Sequence, residues 1–474
     1  MPAGAPLCPP RSARGTPLPS LSRIRALHGV VPRNSFLPLR RISLPRAPST
    51  LMSSLFARGL LLLRQPGFAG LLASAAALGM GFSFVSPFLS LWGTQEIGMT
   101  PLAFGTFMTI VALSAIIVST TLARWSDSHL ARKTMLILGG VGGVLGYTGY
   151  ALVHHPVLLL VIGATSLALA SVCFSQLFAH VREIYSDSAG LAVSPAVLVS
   201  LVRACFSLAW TVGPAIGAWM MVQFGFRGVF LGAASLYLLF VFGVWRFVPY
   251  SPRSVHTQAE VRQPVWQILT RRDIFAVFVA FLLAFAAFAM NTMNLPLLMT
   301  QVLGGTGGQV GLAFCVGPIV EIPLMLWFGK LAAQGHQLRL IRIGAIAAII
   351  YFIALGLARA PWHVYPIQIL SGVVFAILTN VAIMFFQDLL PGQAGLATTI
   401  FANSGNVGNL VGYFGFGALL VSFGHRGVIG ICAGLATAML IILVIYRPRP
   451  MTGTGALNLR SVDPKKPAGA FIAS

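Results

Sequence analysis

From residue 68 onward, long apolar stretches alternate with short polar connections. The apolar runs occupy 68–92, 101–123, 135–153, 157–181, 196–223, 228–248, 274–301, 308–331, 338–358, 362–386, 394–423 and 426–446. About 20 apolar residues in helical conformation span the hydrocarbon of a bilayer, at 1.5 Å per residue. Each run meets that length. A transmembrane barrel would instead show short segments of alternating polarity. Glycine and proline within the runs are compatible with helix, because neighbouring membrane helices satisfy freed backbone groups and glycine permits close helix contact. The pattern predicts an all-α membrane protein with twelve transmembrane helices.

Composition agrees. The chain is 57% hydrophobic and 8% charged, with a mean hydropathy of +0.86, whereas a soluble domain carries roughly 25% charged residues. The formal charge of +22 would suit a nucleic-acid partner if it formed one soluble basic face. It falls between hydrophobic runs instead. Arg124, Arg132 and Lys133 follow the second run, and Arg253, Arg262, Arg271 and Arg272 follow the sixth. Lys330, Arg339 and Arg342 flank the turn after the eighth, and Arg447, Arg449, Lys465 and Lys466 follow the twelfth. The alternate connections hold little, among it Glu96, His154, His155, Arg227, Arg359 and Arg426. By the positive-inside rule the first group faces the cytoplasm, so an even number of crossings puts both termini there. No nucleic-acid partner is expected.

Five scattered cysteines without metal-ligand spacing read as small packing residues. "GGVGGVLG" (139–146) lies inside a helix and reads as close helix contact rather than a phosphate loop. No cofactor and no metal are expected.

Residues 1–51 are rich in Pro, Arg and Ser and contain no acid; they read as a disordered or misassigned extension, with Met52 as the expected start. Beyond them the chain divides into a six-helix half (52–249), a polar cytoplasmic loop (250–273), a second six-helix half (274–447) and a cytoplasmic tail (448–474). Six plus six helices, with a basic turn after the second helix of each half, is the pattern of a transporter built from repeats.

Two stretches carry a family resemblance. "ARWSDSHLARK" (123–133) resembles a degraded major facilitator superfamily signature, with Asp127 at the acid and Arg132 and Lys133 at the basic end. "FFQDLLPGQAGLATTIFANSGNVG" (385–408) resembles the bacterial sugar efflux transporter family of that superfamily, as do "QLFAHVRE" (176–183), "LVRACFSLAWTVGP" (201–214) and "EIP" (321–323). The family carries an arginine in the eleventh helix where this chain has Asn406. The resemblance implies the major facilitator fold, a small-molecule substrate (a sugar or glycoside), protons as the coupling ion, a monomer, and a bacterial cytoplasmic (inner) membrane location. "GPAIGA" (213–218) partly resembles the glycine-proline signature of antiporter branches and supports export.

Polar groups in the hydrocarbon cost several kcal/mol unless paired, so those at depth mark the transport path. Glu321 lies about a dozen residues into the eighth run, roughly 18 Å along a helix. A lone carboxyl at that depth is a candidate proton carrier and substrate contact; the alternative is a packing acid. Arg203, inside the fifth run, has Glu183 at the end of the fourth as its nearest partner by depth and Glu321 as the other, with snorkelling as the alternative. Asn291 and Asn294, and Asn403 and Asn406, repeat at three residues and so share helix faces. With Gln176, Asn380 and an aromatic platform at Trp210 they are the candidate substrate-binding set, against a reading as interhelical glue. Gln368 is a weaker candidate for the same cavity. Asp127, Arg132, Lys133, Arg182, Glu183 and Asp388 are the candidate cytoplasmic gate. The expected function is proton-antiport export of a sugar or glycoside. The rivals are a multidrug exporter of the same fold and, from another class, a membrane enzyme or non-transporting subunit, for which nine dispersed acids supply no convergent chemistry.

Overall fold

The computed structural model describes residues 67–129, 131–186, 195–248, 268–391 and 393–446. Within them lie ten helical elements: α1 (Phe68–Glu96), α2 (Pro101–His129), α3 (Arg132–Leu152), α4 (Pro156–Val181, helical on to Ser186), α5 (Pro195–Phe247), α6 (Arg272–Val302), α7 (Gly307–Leu331), α8 (Gln337–Gly356), α9 (Pro361–Leu389) and α10 (Ala394–Ile445). The extension before residue 52, the loop 250–267 and the tail beyond 446 lie outside the described residues.

Among the described residues nine helices are long and apolar enough to cross a membrane. Three of them turn back midway. α5 is 53 residues long, or roughly 80 Å of helix, more than twice the hydrocarbon thickness of about 30 Å. It breaks at Gly225 (φ 65°, ψ −170°), and α10 breaks at Gly424 (φ 66°, ψ 176°). A side chain rarely adopts that backbone, so glycine is required at both corners. The span from α7 to α8 turns at Gly335. Both arms of α5 pack on α1: Ser83 donates to the Ala209 carbonyl at 3.0 Å, while Gly81 meets the Tyr237 ring. Among the described residues the crossings number twelve, and each expected helix begins within three residues of its observed start.

The two halves repeat one another in local detail. The α1–α2 turn carries Thr94-Gln95-x-x-Gly98-x-Thr100, and the α6–α7 turn carries Thr300-Gln301-x-x-Gly304-x-Thr306. Gly98 and Gly304 share φ 72°. Met99 N–H bonds the Gly93 carbonyl at 2.9 Å, and Gly305 N–H bonds the Met299 carbonyl at 2.7 Å. Thr100 and Thr306 then accept a backbone N–H from the helix that follows. The corners of α5 and α10 share Val-x-Phe-Gly-x-Arg-Gly-Val, at 222–229 and 421–428. At the opposite end of the bundle Lys133 donates to the Trp245 and Val248 carbonyls (2.9 and 2.7 Å). Arg342 does the same for Leu443 and Tyr446 in the second half. Cations there satisfy carbonyls that a helix end leaves without partners.

The end that carries Arg132, Lys133, Arg271, Arg272, Lys330, Arg339 and Arg342 is termed the basic end; the end with the Gly98, Gly225, Gly304 and Gly424 turns is the far end. Glycines bring the helices together as their spacing predicts. Gly139, Gly140, Gly142, Gly143 and Gly146 of α3 are buried. A Cβ at Gly142 would lie 2.7 Å from the Ser166 carbonyl oxygen, so the α3–α4 contact is backbone to backbone. At the far end the two halves meet in the same way. A Cβ at Gly105 of α2 would lie 2.8 Å from the Gly417 Cα of α10, and one at Gly311 of α7 would lie 2.6 Å from the Pro214 carbonyl oxygen of α5.

Candidate functional site

Between the halves lies a cavity of about 830 Å³. Its two walls differ in chemistry. From the first half come Phe82 (α1), Phe174 and Phe178 (α4), and Arg203, Phe206 and Trp210 (α5). This wall is aromatic apart from Arg203 and two serines; the Phe82 and Trp210 rings stand 5.6 Å apart, and Phe206 meets Phe174 edge-on at 5.0 Å. The second half adds Asn291 and Thr292 (α6), Glu321 (α7), Tyr351 (α8), Gln368 and Ser371 (α9), and Asn409 and Tyr413 (α10), among further phenylalanines. Most of the hydrogen-bonding capacity therefore sits on one side.

Glu321 is the fifteenth residue of a 25-residue helix, which puts its carboxyl near mid-depth. Arg203 lines the same cavity from α5. Among the described residues neither side chain makes an ion pair or a hydrogen bond with protein. A carboxyl and a guanidinium thus share a cavity while each remains available to whatever fills it. Pro318 and Pro323 lie on either side of Glu321 in α7; each removes a backbone donor and loosens the helix there.

Asn291 also reaches the cavity, with its Nδ2 donating to the Tyr351 hydroxyl at 2.9 Å. Trp210 does so from the opposite wall. Five other expected contacts do not line it. Asn294 turns to the far end, where its Nδ2 donates to the His425 carbonyl (3.0 Å) and its Oδ1 lies 2.8 Å from His425 Nδ1. Asn380 donates to the Met325 carbonyl at 3.1 Å, a bond between α9 and α7. Asn403 is half-buried and Asn406 exposed, both off the cavity. Gln176 is buried near the basic end and accepts from Arg132 at 3.2 Å.

Sequence reasoning passed over Tyr351, Ser371, Asn409 and Tyr413. Asn409 had a signal, as the third member of the 403, 406, 409 series. Three residues advance a helix by about 300°, so successive members step back by roughly 60° and the last points elsewhere than the first.

The expected gate residues form bonds within their own halves. Lys133 caps the end of α5, Arg132 bonds Gln176, and Asp388 accepts from Gln337 Nε2 at 2.7 Å. Gln387 donates to Thr398 at 3.2 Å across the Pro391 turn. Asp127 lies on α2, and Arg182 and Glu183 on the extension of α4; their side chains lie outside the described residues. Among the described residues, the close glycine contacts between the halves are at the far end, while Phe174 and Arg203 at the basic-end side of the cavity are exposed. The described packing is therefore tightest on the far-end side of the cavity. Among the described residues, no group of three or more His, Cys, Asp or Glu side chains could hold a metal ion.

A bundle of twelve crossings around a central cavity is a transporter's architecture, and sequence comparison names the family. The Major Facilitator Superfamily profile matches residues 71–412. The chain belongs to the major facilitator superfamily. It is a multi-pass membrane protein of a transporter family, not an enzyme. A putative sugar efflux transporter of Deinococcus radiodurans is 33% identical over 389 residues, covering 81% of this chain and 99% of that protein. Sugar efflux transporter C of Escherichia coli K12 is 29% identical, over 80% of this chain and 95% of its own length. Among solved structures, the nucleoside transporter NupG superposes with a TM-score of 0.65 at 13% identity, over 80% of this chain and 98% of that one. That likeness shows the fold alone. As a member of the superfamily, the chain carries a small-molecule substrate.

Proposed function

We propose that this major facilitator protein exports a sugar or glycoside across the bacterial cytoplasmic membrane in exchange for protons. The observation that carries the reading is the central cavity, where Arg203 of the aromatic wall shares the space with Glu321, which stands among the amides and hydroxyls of the other wall. Matched amide donors and acceptors suit a polyhydroxylated solute, and aromatic faces such as Trp210 suit the apolar face of a sugar ring. Efflux is the activity named for relatives that align over most of the chain. With the basic end in the cytoplasm, the tight packing at the far end seals that side and makes this conformation the one that loads from inside. The substrate enters between the halves, the basic end closes through its charged turns, and the far-end glycine contacts part. Glu321 takes up a proton from outside and gives it up inside.

The aromatic wall formed by Phe82, Phe174, Phe178, Phe206 and Trp210 favours a second reading, a multidrug exporter. Counterflow separates the two. Vesicles preloaded with an unlabelled sugar should draw in the same labelled sugar transiently, and lipophilic cations should not compete. Competition by lipophilic cations with no sugar counterflow would favour the drug exporter.

Orientation has its own test. In a cysteine-free background, cysteines introduced at 255 and 455 should react with a membrane-impermeant maleimide only from the cytoplasmic side. One introduced at 96 should react only from outside. Reaction of 96 and 255 from the same side would overturn the assigned topology.

A further inference from the structure

Asn291 holds an acceptor that the protein leaves unused. Its residue is 5% exposed and lines the cavity. The nitrogen end of the amide is committed, because Nδ2 donates to the Tyr351 hydroxyl at 2.9 Å. Tyr351 is itself 1% exposed, so a buried bond between α6 and α8 holds the amide. The oxygen end has no partner: Oδ1 is buried without a donor. Neighbouring Thr292 is satisfied locally, its hydroxyl donating to the Phe288 carbonyl at 2.8 Å. Buried polar atoms nearly always find partners, and an exception calls for a functional or structural reason.

We propose that Asn291 Oδ1, occluded and unpartnered in this conformation, becomes the specificity-determining acceptor for one hydroxyl group of the substrate when the cavity is filled, with Tyr351 as the positioning residue that holds the amide nitrogen. The proposal rests on the reading of the cavity as a sugar site, and it narrows that reading to a solute with an O–H donor at one defined position. An isostere that accepts but cannot donate leaves Oδ1 unpaired. Sites built to bond a substrate hydroxyl reject analogues without it far better than apolar pockets reject a changed methylene.

The test uses the purified full chain in nanodiscs and titration calorimetry with glucose, galactose and their monodeoxyfluoro analogues, in which fluorine replaces one hydroxyl and removes its donor. Wild type should bind one analogue about tenfold or more weaker than its parent sugar. In Asn291→Ala that penalty should shrink toward unity, while penalties at other ring positions stay as they were. Asn291→Leu, which keeps the volume, guards against a cavity artefact. Tyr351→Phe, which frees the amide to turn, should reduce the same penalty in part. Complete loss of binding by Asn291→Leu with an unchanged melting temperature also supports the assignment. A positional penalty that survives unchanged in both Asn291 variants overturns it and leaves the sugar reading standing. Failure of wild type to bind any sugar in the panel overturns the sugar reading, and this inference with it.

Discussion

Glu321→Gln is expected to bind substrate yet lose concentrative export. The amide keeps the size and hydrogen-bonding capacity of the protonated acid but cannot release a proton, so each cycle returns without the exchanged ion. Accumulation driven by a pH gradient should fall to the equilibrium level, at least about a tenfold loss for a gradient of one unit. Exchange of sugar for sugar, which moves no net proton, should persist. Glu321→Asp keeps a titratable group in the same cavity and should retain part of the activity. Arg203→Ala removes the cation that shares the cavity with Glu321 and should change the pH profile of transport while leaving the protein folded, since Arg203 makes no described bond within the bundle. Vesicle transport with and without a pH gradient reads all three variants. Wild-type accumulation by Glu321→Gln would make Glu321 a packing acid and move the proton carrier elsewhere.

Gly417→Val is expected to break the far-end seal. A Cβ at Gly417 would stand 2.6 Å from the Pro101 carbonyl oxygen and 3.0 Å from the Gly105 Cα, and backbone atoms on both sides cannot swing away. Overpacking of this kind costs about 1–3 kcal/mol, a shift of roughly fivefold or more in the balance between conformations. The strain exists only while the far end is shut, so the outward-open form gains. A cysteine introduced at Ser371 in the cavity should then react from the far side as well as from the basic end, and export should drop several-fold. Gly430→Val is the control, because a Cβ there meets nothing within 4 Å. If Gly417→Val labels and transports like wild type, the Gly105–Gly417 contact is not the seal.

The helices were legible because hydrocarbon imposes a length that apolar runs display directly. Which face of a helix meets the cavity was not. A helix such as α7 is apolar on lipid-facing and protein-facing sides alike, so periodicity offers no direction, and only the polar exceptions speak. Those exceptions answer to two demands. Glu321 and Asn291 face the cavity, whereas Asn294 and Asn380 serve backbone carbonyls of neighbouring helices, and both uses suit an asparagine in a hydrophobic run. Tyr351 was missed because the ninth crossing reads as a purely apolar support, yet its hydroxyl reaches the cavity wall beside Asn291. The repeat of Val-x-Phe-Gly-x-Arg-Gly-Val at 222–229 and 421–428 was present in the sequence throughout. It marks corners rather than helices, and a hydropathy reading sees corners only as gaps. In the second half its arginine, Arg426, donates to the Gly356 and Ala358 carbonyls (2.9 and 2.8 Å) at the end of α8. That contact supplies the physical reason for a cation at such a corner.

Coupling of sugar export to protons is the central claim, and inside-out vesicles test it directly. In such vesicles export appears as uptake into the lumen, and antiport requires the lumen to be acidic. With an imposed gradient of one pH unit, acid inside, a labelled sugar should accumulate about tenfold over the bath for each proton exchanged, and a protonophore should return it to the equilibrium level. Accumulation that is indifferent to the gradient and to the protonophore, or uptake favoured by an alkaline lumen, would contradict the account.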